Sequence, residues 1–69
     1  MTDADLVWVG PPPEFCSMGN CIEVAAIGGD WFRVRSNNLR TAVIAVSGAE
    51  LRSFCAAVKA GAFDEVMRA

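Results

Sequence analysis

The 69-residue chain contains no histidine and no tyrosine, which removes the commonest general base and one common acid from any catalytic scheme. It carries no G-x-G-x-x-G and no G-x-x-x-x-G-K-[ST] run, so its six glycines do not form a known phosphate cradle and no cofactor is expected. No stretch approaches the roughly 20 apolar residues that span a bilayer. The first five residues, M-T-D-A-D, are acidic where a secretory signal would be basic, so the expected location is the cytoplasm. Positive charge is also scarce. Six Lys and Arg against eight Asp and Glu give a net charge of -2, and the attraction that dominates nucleic-acid affinity is missing.

Cysteine is the next scarcity. Cys16, Cys21 and Cys55 are an odd set in a chain with no secretory signal, so a disulfide framework is not expected. Cys55 falls on an apolar helix stripe and reads as a small hydrophobe. Cys16 and Cys21 are separated by four residues, but zinc normally takes four ligands and no fourth soft ligand is apparent. No metal site is assigned, and a thiol redox or zinc switch on this pair is the weakest of the functional readings.

The remaining acids have ordinary structural roles. Asp3, Asp5, Glu14, Asp64 and Glu65 lie in ends or loops, Asp30 in a turn, and Glu50 in a helix cap. Glu23 alone falls in mid-strand, where a cross-strand pair with Arg35 or Arg33 accounts for it. No catalytic residue is assigned.

What the chain does contain is apolar mass, 54% of its residues. A domain of this size buries only about 60% of the surface its unfolded chain exposes, so association is expected to supplement a marginal core. The first fourteen residues read as an arm. Leu6 to Val9 is a short apolar stretch ended by Gly10 and the triplet Pro11-Pro12-Pro13, which can form an extended spacer or an edge strand but not a central one. Trp8 decides the arm's value, because so large a ring is seldom left in water.

Residues 21–27 alternate with period two. Ile22, Val24 and Ala26 share one face, while Cys21, Glu23, Ala25 and Ile27 share the other. Gly28-Gly29-Asp30 supplies a turn, and residues 31–35 form a second strand. A three-residue loop sets Ala26 against Phe32, Val24 against Val34 and Glu23 against Arg35, whereas a two-residue loop would oppose Glu23 to Val34. After the turn Ser36-Asn37-Asn38 comes a third strand, residues 41–46, with Ala42, Ile44 and Val46 as its inner set.

Ser47-Gly48-Ala49-Glu50 is a capping box, with Val46 and Leu51 placed as a hydrophobic staple. Leu51, Phe54, Cys55 and Val58 then follow the spacing of one apolar helix stripe. Gly61 stands where a helix ends, and residues 62–68 can add one turn with Phe63 and Met67 packing back. The expected fold is a small α+β domain: a three-stranded antiparallel meander covered by one C-terminal helix, with the arm able to add an edge strand. Covering the face that carries Ile22, Val24, Phe32, Val34, Ile44 and Val46 leaves Ile27, Trp31, Val43 and Ala45 on the other. That second face, rimmed by Glu23, Arg33 and Arg35, is either an interface or the seat of Leu6 and Trp8.

Certain phrases of the sequence go beyond this physical reading. They are G-N-C-I-E-V-A at residues 19–25, F-R-V-R-S at 32–36, E-L-R-S-F at 50–54 and V-K-A-G-A-F-D at 58–64. Together they resemble a small actinobacterial domain-of-unknown-function family that includes the BldB-like developmental regulators. That family's pattern runs from an aromatic and a Ser/Gly-rich stretch to N-C-V-E-V-A, a glycine turn, V-x-V-R-D-S, a short strand, E-W-x-x-F and V-x-x-G-E-F-D. The resemblance covers roughly three quarters of the chain, placing a BldB-like domain at residues 15–69 behind the arm of residues 1–14. Leu51 stands in place of the family's Trp, Ser36 in place of Asp and Ala62 in place of Glu.

The resemblance implies a non-enzymatic regulator encoded near an Xre-type helix-turn-helix protein. It would act by protein contact on that transcription factor in actinobacterial development or antibiotic production. A toxin or antitoxin component of a two-gene module is the alternative it implies. The expected partners are a second copy, the helix-turn-helix regulator, or both, without direct contact to nucleic acid or membrane. The expected interface comprises Trp8, Glu23, Ile27, Trp31, Arg33, Arg35 and Val43.

Overall fold

In the computed structural model, residue 2 and residues 5–16 and 19–68 are described. Met1, Asp3 and Ala4 of the acidic N-terminus lie outside the described residues, as do Ser17, Met18 and Ala69. A one-turn 3₁₀ helix, Pro13–Phe15, precedes three strands, β1 (Ile22–Gly28), β2 (Trp31–Ser36) and β3 (Leu39–Ser47). Two helices follow, α1 (Gly48–Lys59) and a single-turn α2 (Asp64–Met67). The sheet is an antiparallel meander in the order β1-β2-β3, so the α+β architecture expected from the sequence is the one observed.

The register is also as expected, with Val24 opposite Val34, Ala26 opposite Phe32 and Glu23 opposite Arg35. The loop that produces it differs from the three-residue turn expected. Gly28 pairs with Trp31 across a two-residue turn, in which Gly29 (φ 62°) and Asp30 (φ 60°) both adopt positive φ, as a type I′ hairpin demands. Ile27 is the extra residue between the Ala26 and Gly28 pairings. A two-residue turn plus one bulged residue sets the same register as a three-residue loop, and the bulge sharpens the local twist. A larger irregularity interrupts β2–β3 between the Val34–Ile44 and Ser36–Leu39 pairs.

The triple proline is not extended throughout, because Pro13 opens the 3₁₀ turn. Proline is suited to that first helical position, where its missing N–H costs nothing. Ahead of it the arm returns to the sheet. Val9 and Val24 exchange backbone hydrogen bonds, both 2.9 Å, in an isolated antiparallel bridge on the free edge of β1. With period two, Val9 sharing the face of Val24 sends Trp8 to the opposite face.

α1 begins with the full capping box. The Glu50 amide donates to the Ser47 hydroxyl at 3.1 Å and the Ser47 amide to the Glu50 carboxylate at 2.8 Å. It ends in a Schellman motif: Ala62 N–H donates to the Ala57 carbonyl and Gly61 N–H to the Val58 carbonyl, with Gly61 at φ 81°. Phe63 packs back on Phe54, ring centroids 5.1 Å apart. Met67 does not, being 69% exposed.

The main departure from expectation is the core. Among the described residues Ala25 is the one buried hydrophobic side chain, and no large side chain is fully buried. On the face α1 was expected to cover, Ile22 and Ile44 are 62% and 60% exposed. A helix is about 10 Å across with its side chains, while three strands spaced about 4.8 Å apart present a wider surface. One helix therefore leaves part of the face open.

Candidate protein-contact surfaces

The two sheet faces have different covers. On the reverse face the Arg35 Nε donates to the Glu23 carboxylate at 3.0 Å. The guanidinium carbon of Arg35 lies 3.8 Å from the centroid of the Trp8 ring. Arm and sheet are joined there by a cation–π stack on a partly desolvated ion pair, a more stable arrangement than a fully exposed pair. Arg33, half-buried, pairs in register with Ala25 on one side and Ala45 on the other. Trp8, Glu23, Arg33 and Arg35 thus belong to one neighbourhood that the arm covers in part. Trp31 and Ile27, at the bulged end of the hairpin, remain 48% and 39% exposed, and Val43 is half-buried in the irregular stretch of β3.

The other face opens between the sheet and α1 as a groove made of two adjoining cavities of about 390 and about 350 Å³. Ile22, Val34, Leu51 and Phe54 line both. Val24, Cys55, Val58 and Lys59 complete one end, and Ile44, Val46 and Glu50 the other. Its walls are apolar throughout, with Lys59 and Glu50 contributing only the aliphatic parts of their side chains. The sequence shows these residues as core, and only the tertiary arrangement reveals that the core is open.

A clamp fixes where α1 leaves the sheet. Gly48, one of the two buried residues among those described, donates its amide to the Asp30 carbonyl at 2.7 Å. The Asp30 carboxylate lies so close to Gly48 that a β-carbon there would overlap it. Arg52, one helical turn on, donates to both Asp30 carboxylate oxygens at 3.2 and 3.0 Å. The hydrogen bond from Arg52, with its charge, holds the Asp30 carboxyl below its ordinary value, and Arg52 is raised in turn. Glu50 is likewise lowered, chiefly by the Ser47 backbone N–H it accepts. These shifts belong to the helix start.

Cys16 and Cys21 are joined as a disulfide with Cα atoms 5.6 Å apart, contrary to the expectation of no disulfide. Gly19 turns the intervening chain at φ 72°. Cys21 is held at the far turn, its amide donating to the Asn37 side-chain carbonyl at 3.1 Å and its own carbonyl accepting from the Asn37 amide at 2.8 Å. The Asn38 side-chain amide donates to the Asn20 side-chain oxygen beside it. The odd number of cysteines argued against this pair, while the short spacing was the available sign of it. Cys55 is free and exposed.

Among the described residues no group of three or more His, Cys, Asp and Glu side chains is placed to hold a metal ion. None of the helices described is long and apolar enough to cross a membrane.

The chain matches no family model, no curated protein and no solved structure.

Proposed function

We propose that this protein is a non-enzymatic regulator that works by protein contact in the cytoplasm, binding or modulating an Xre-type helix-turn-helix transcription factor. The observation that carries this reading is the amount of apolar surface left open on so small a chain. Trp31 is half exposed on the reverse face with Ile27 beside it in the bulge, and the Glu23–Arg35 pair lies on the same face. An exposed aromatic with a polar surround is the composition of a protein-contact site. The resemblance to the BldB-like family supplies the kind of partner.

The test is to mix the purified chain with the nearest encoded helix-turn-helix protein and follow complex formation by size-exclusion chromatography with light scattering. Trp31→Glu combined with Val43→Glu is expected to abolish the complex while circular dichroism shows the fold retained. A complex that survives this double substitution, or none with the unaltered chain, refutes the reading.

A further inference from the structure

The proposed function leaves the groove between the sheet and α1 unexplained, and the residues that line it identify an occupant. We infer that it is filled by α1 of a second copy, packed antiparallel about a two-fold axis. This refines the proposed function, which expects protein contacts, by assigning the groove to self-association and leaving the Trp31 face to the regulator.

The helix stripe is self-complementary. An antiparallel two-fold passing between Phe54 and Cys55 sets Leu51 of one copy against Val58 of the other along the middle of the stripe, with the two Phe54 rings together on one flank and the two Cys55 side chains together on the other. Every apolar residue of the stripe therefore meets an apolar residue. An isologous interface requires this self-matching, and it follows from the order of residues along a 12-residue helix.

The surface involved is of the right order. Ile22, Ile44, Phe54 and Val58 are 62, 60, 51 and 44% exposed. At roughly 200 Å² for a large side chain they leave roughly 400 Å² of apolar surface open. That is about half of the roughly 800 Å² each partner buries in a stable interface, before the helix rims and Leu51 are included. A chain with no fully buried large side chain among the described residues acquires by this pairing the core that it lacks alone.

The axis also places the exposed Cys55 thiols of the two copies next to each other. The test has two parts. Light scattering at increasing concentration is expected to give a dimer. In non-reduced protein, where Cys55 is the free thiol, a short bismaleimide is expected to trap a covalent dimer. Phe54→Glu is expected to raise the dimer Kd by more than about thirtyfold, as removal of a central hot-spot side chain does, and to prevent the cross-link. Because Phe54 also packs on Phe63, Ile22→Lys, on the exposed sheet wall, decides the matter if Phe54→Glu does not fold.

A chain that stays monomeric, a dimer indifferent to these substitutions, or a dimer whose Cys55 thiols never cross-link overturns the inference. The two readings fail separately. A dimer lost in Phe54→Glu with no regulator bound by the unaltered chain removes only the functional reading. A regulator complex formed by a monomeric chain removes only this one.

Discussion

Gly48→Ala is expected to destabilise this protein, although the same change in most helices does the opposite. Alanine gains up to about 1 kcal/mol over glycine in a helix because it loses less backbone entropy. Here the added β-carbon overlaps the Asp30 carboxylate, and Asp30 is held from two sides. Its carbonyl accepts from the Gly48 amide and its carboxylate from Arg52. It also sits at φ 60°, where only a narrow region suits a residue with a side chain. Forcing one carbon into such a site costs about 1 to 3 kcal/mol, so the net loss is about 1 kcal/mol. Stability for a chain this size is of the order of 3 to 10 kcal/mol. With a urea slope of about 1 kcal/mol per M, the midpoint falls by about 1 M.

The assay is urea unfolding followed by tryptophan fluorescence, at a fixed protein concentration because any dimer contributes to stability. The decisive comparison is the same substitution in an Asp30→Gly background. There the carboxylate is gone and glycine accepts the positive φ, so Gly48→Ala should become stabilising. A reversal of sign between the two backgrounds is a coupling that only contact between the two sites produces. Gly48→Ala neutral or stabilising in the unaltered chain would refute the clamp.

Further outcomes follow from the same contacts. Ser47→Ala removes the acceptor of the capping box and should cost about 1 kcal/mol in the urea titration. Asp30 and Glu50 both have carboxyl values held below the ordinary 3.8 and 4.5. Their contribution is present above those ordinary values and is lost as pH falls through the lower folded ones. The unfolding midpoint should therefore decline in the acid range, and decline less in Asp30→Asn and in Glu50→Gln. Trp8→Ala removes the ring over Arg35 and should destabilise by about 1 to 2 kcal/mol, with faster hydrogen exchange at the Val9 amide bonded to Val24. Replacing Cys16 and Cys21 by serine opens a loop of roughly six residues, for which chain entropy gives a loss of about 2 kcal/mol. An unchanged midpoint between oxidised and reduced protein would show that the pair contributes nothing.

Much of the fold was legible because it is written in local patterns. The alternation of residues 21–27 and 31–35 left one register that kept Glu23 beside Arg35 and Val24 beside Val34. Ser47 and Glu50 specified the helix start, and Gly61 its end. The turn was less legible, since an odd loop and a two-residue turn with a bulge satisfy the same face constraint. That the chain takes the second depends on Asp30 accepting a positive φ while its carboxylate is held by Arg52, a residue 22 positions away. The contact surface was legible in type and incomplete in place. Trp31 and Ile27 stood out as apolar residues on the second sheet face. The arm's cover over Glu23 and Arg35 depended on a bridge between Val9 and Val24 that no short-range pattern specifies.

The sequence by itself determined the elements, their order, the strand register, the helix caps and the absence of histidine chemistry, because each follows from neighbours along the chain or from composition. Only the tertiary structure decided how far the helix covers the sheet, where the arm lies, that Cys16 meets Cys21, and which apolar residues stay open to solvent. Those outcomes depend on the width of one helix against three strands and on contacts between residues distant in sequence. Such contacts form only when the chain has closed around them.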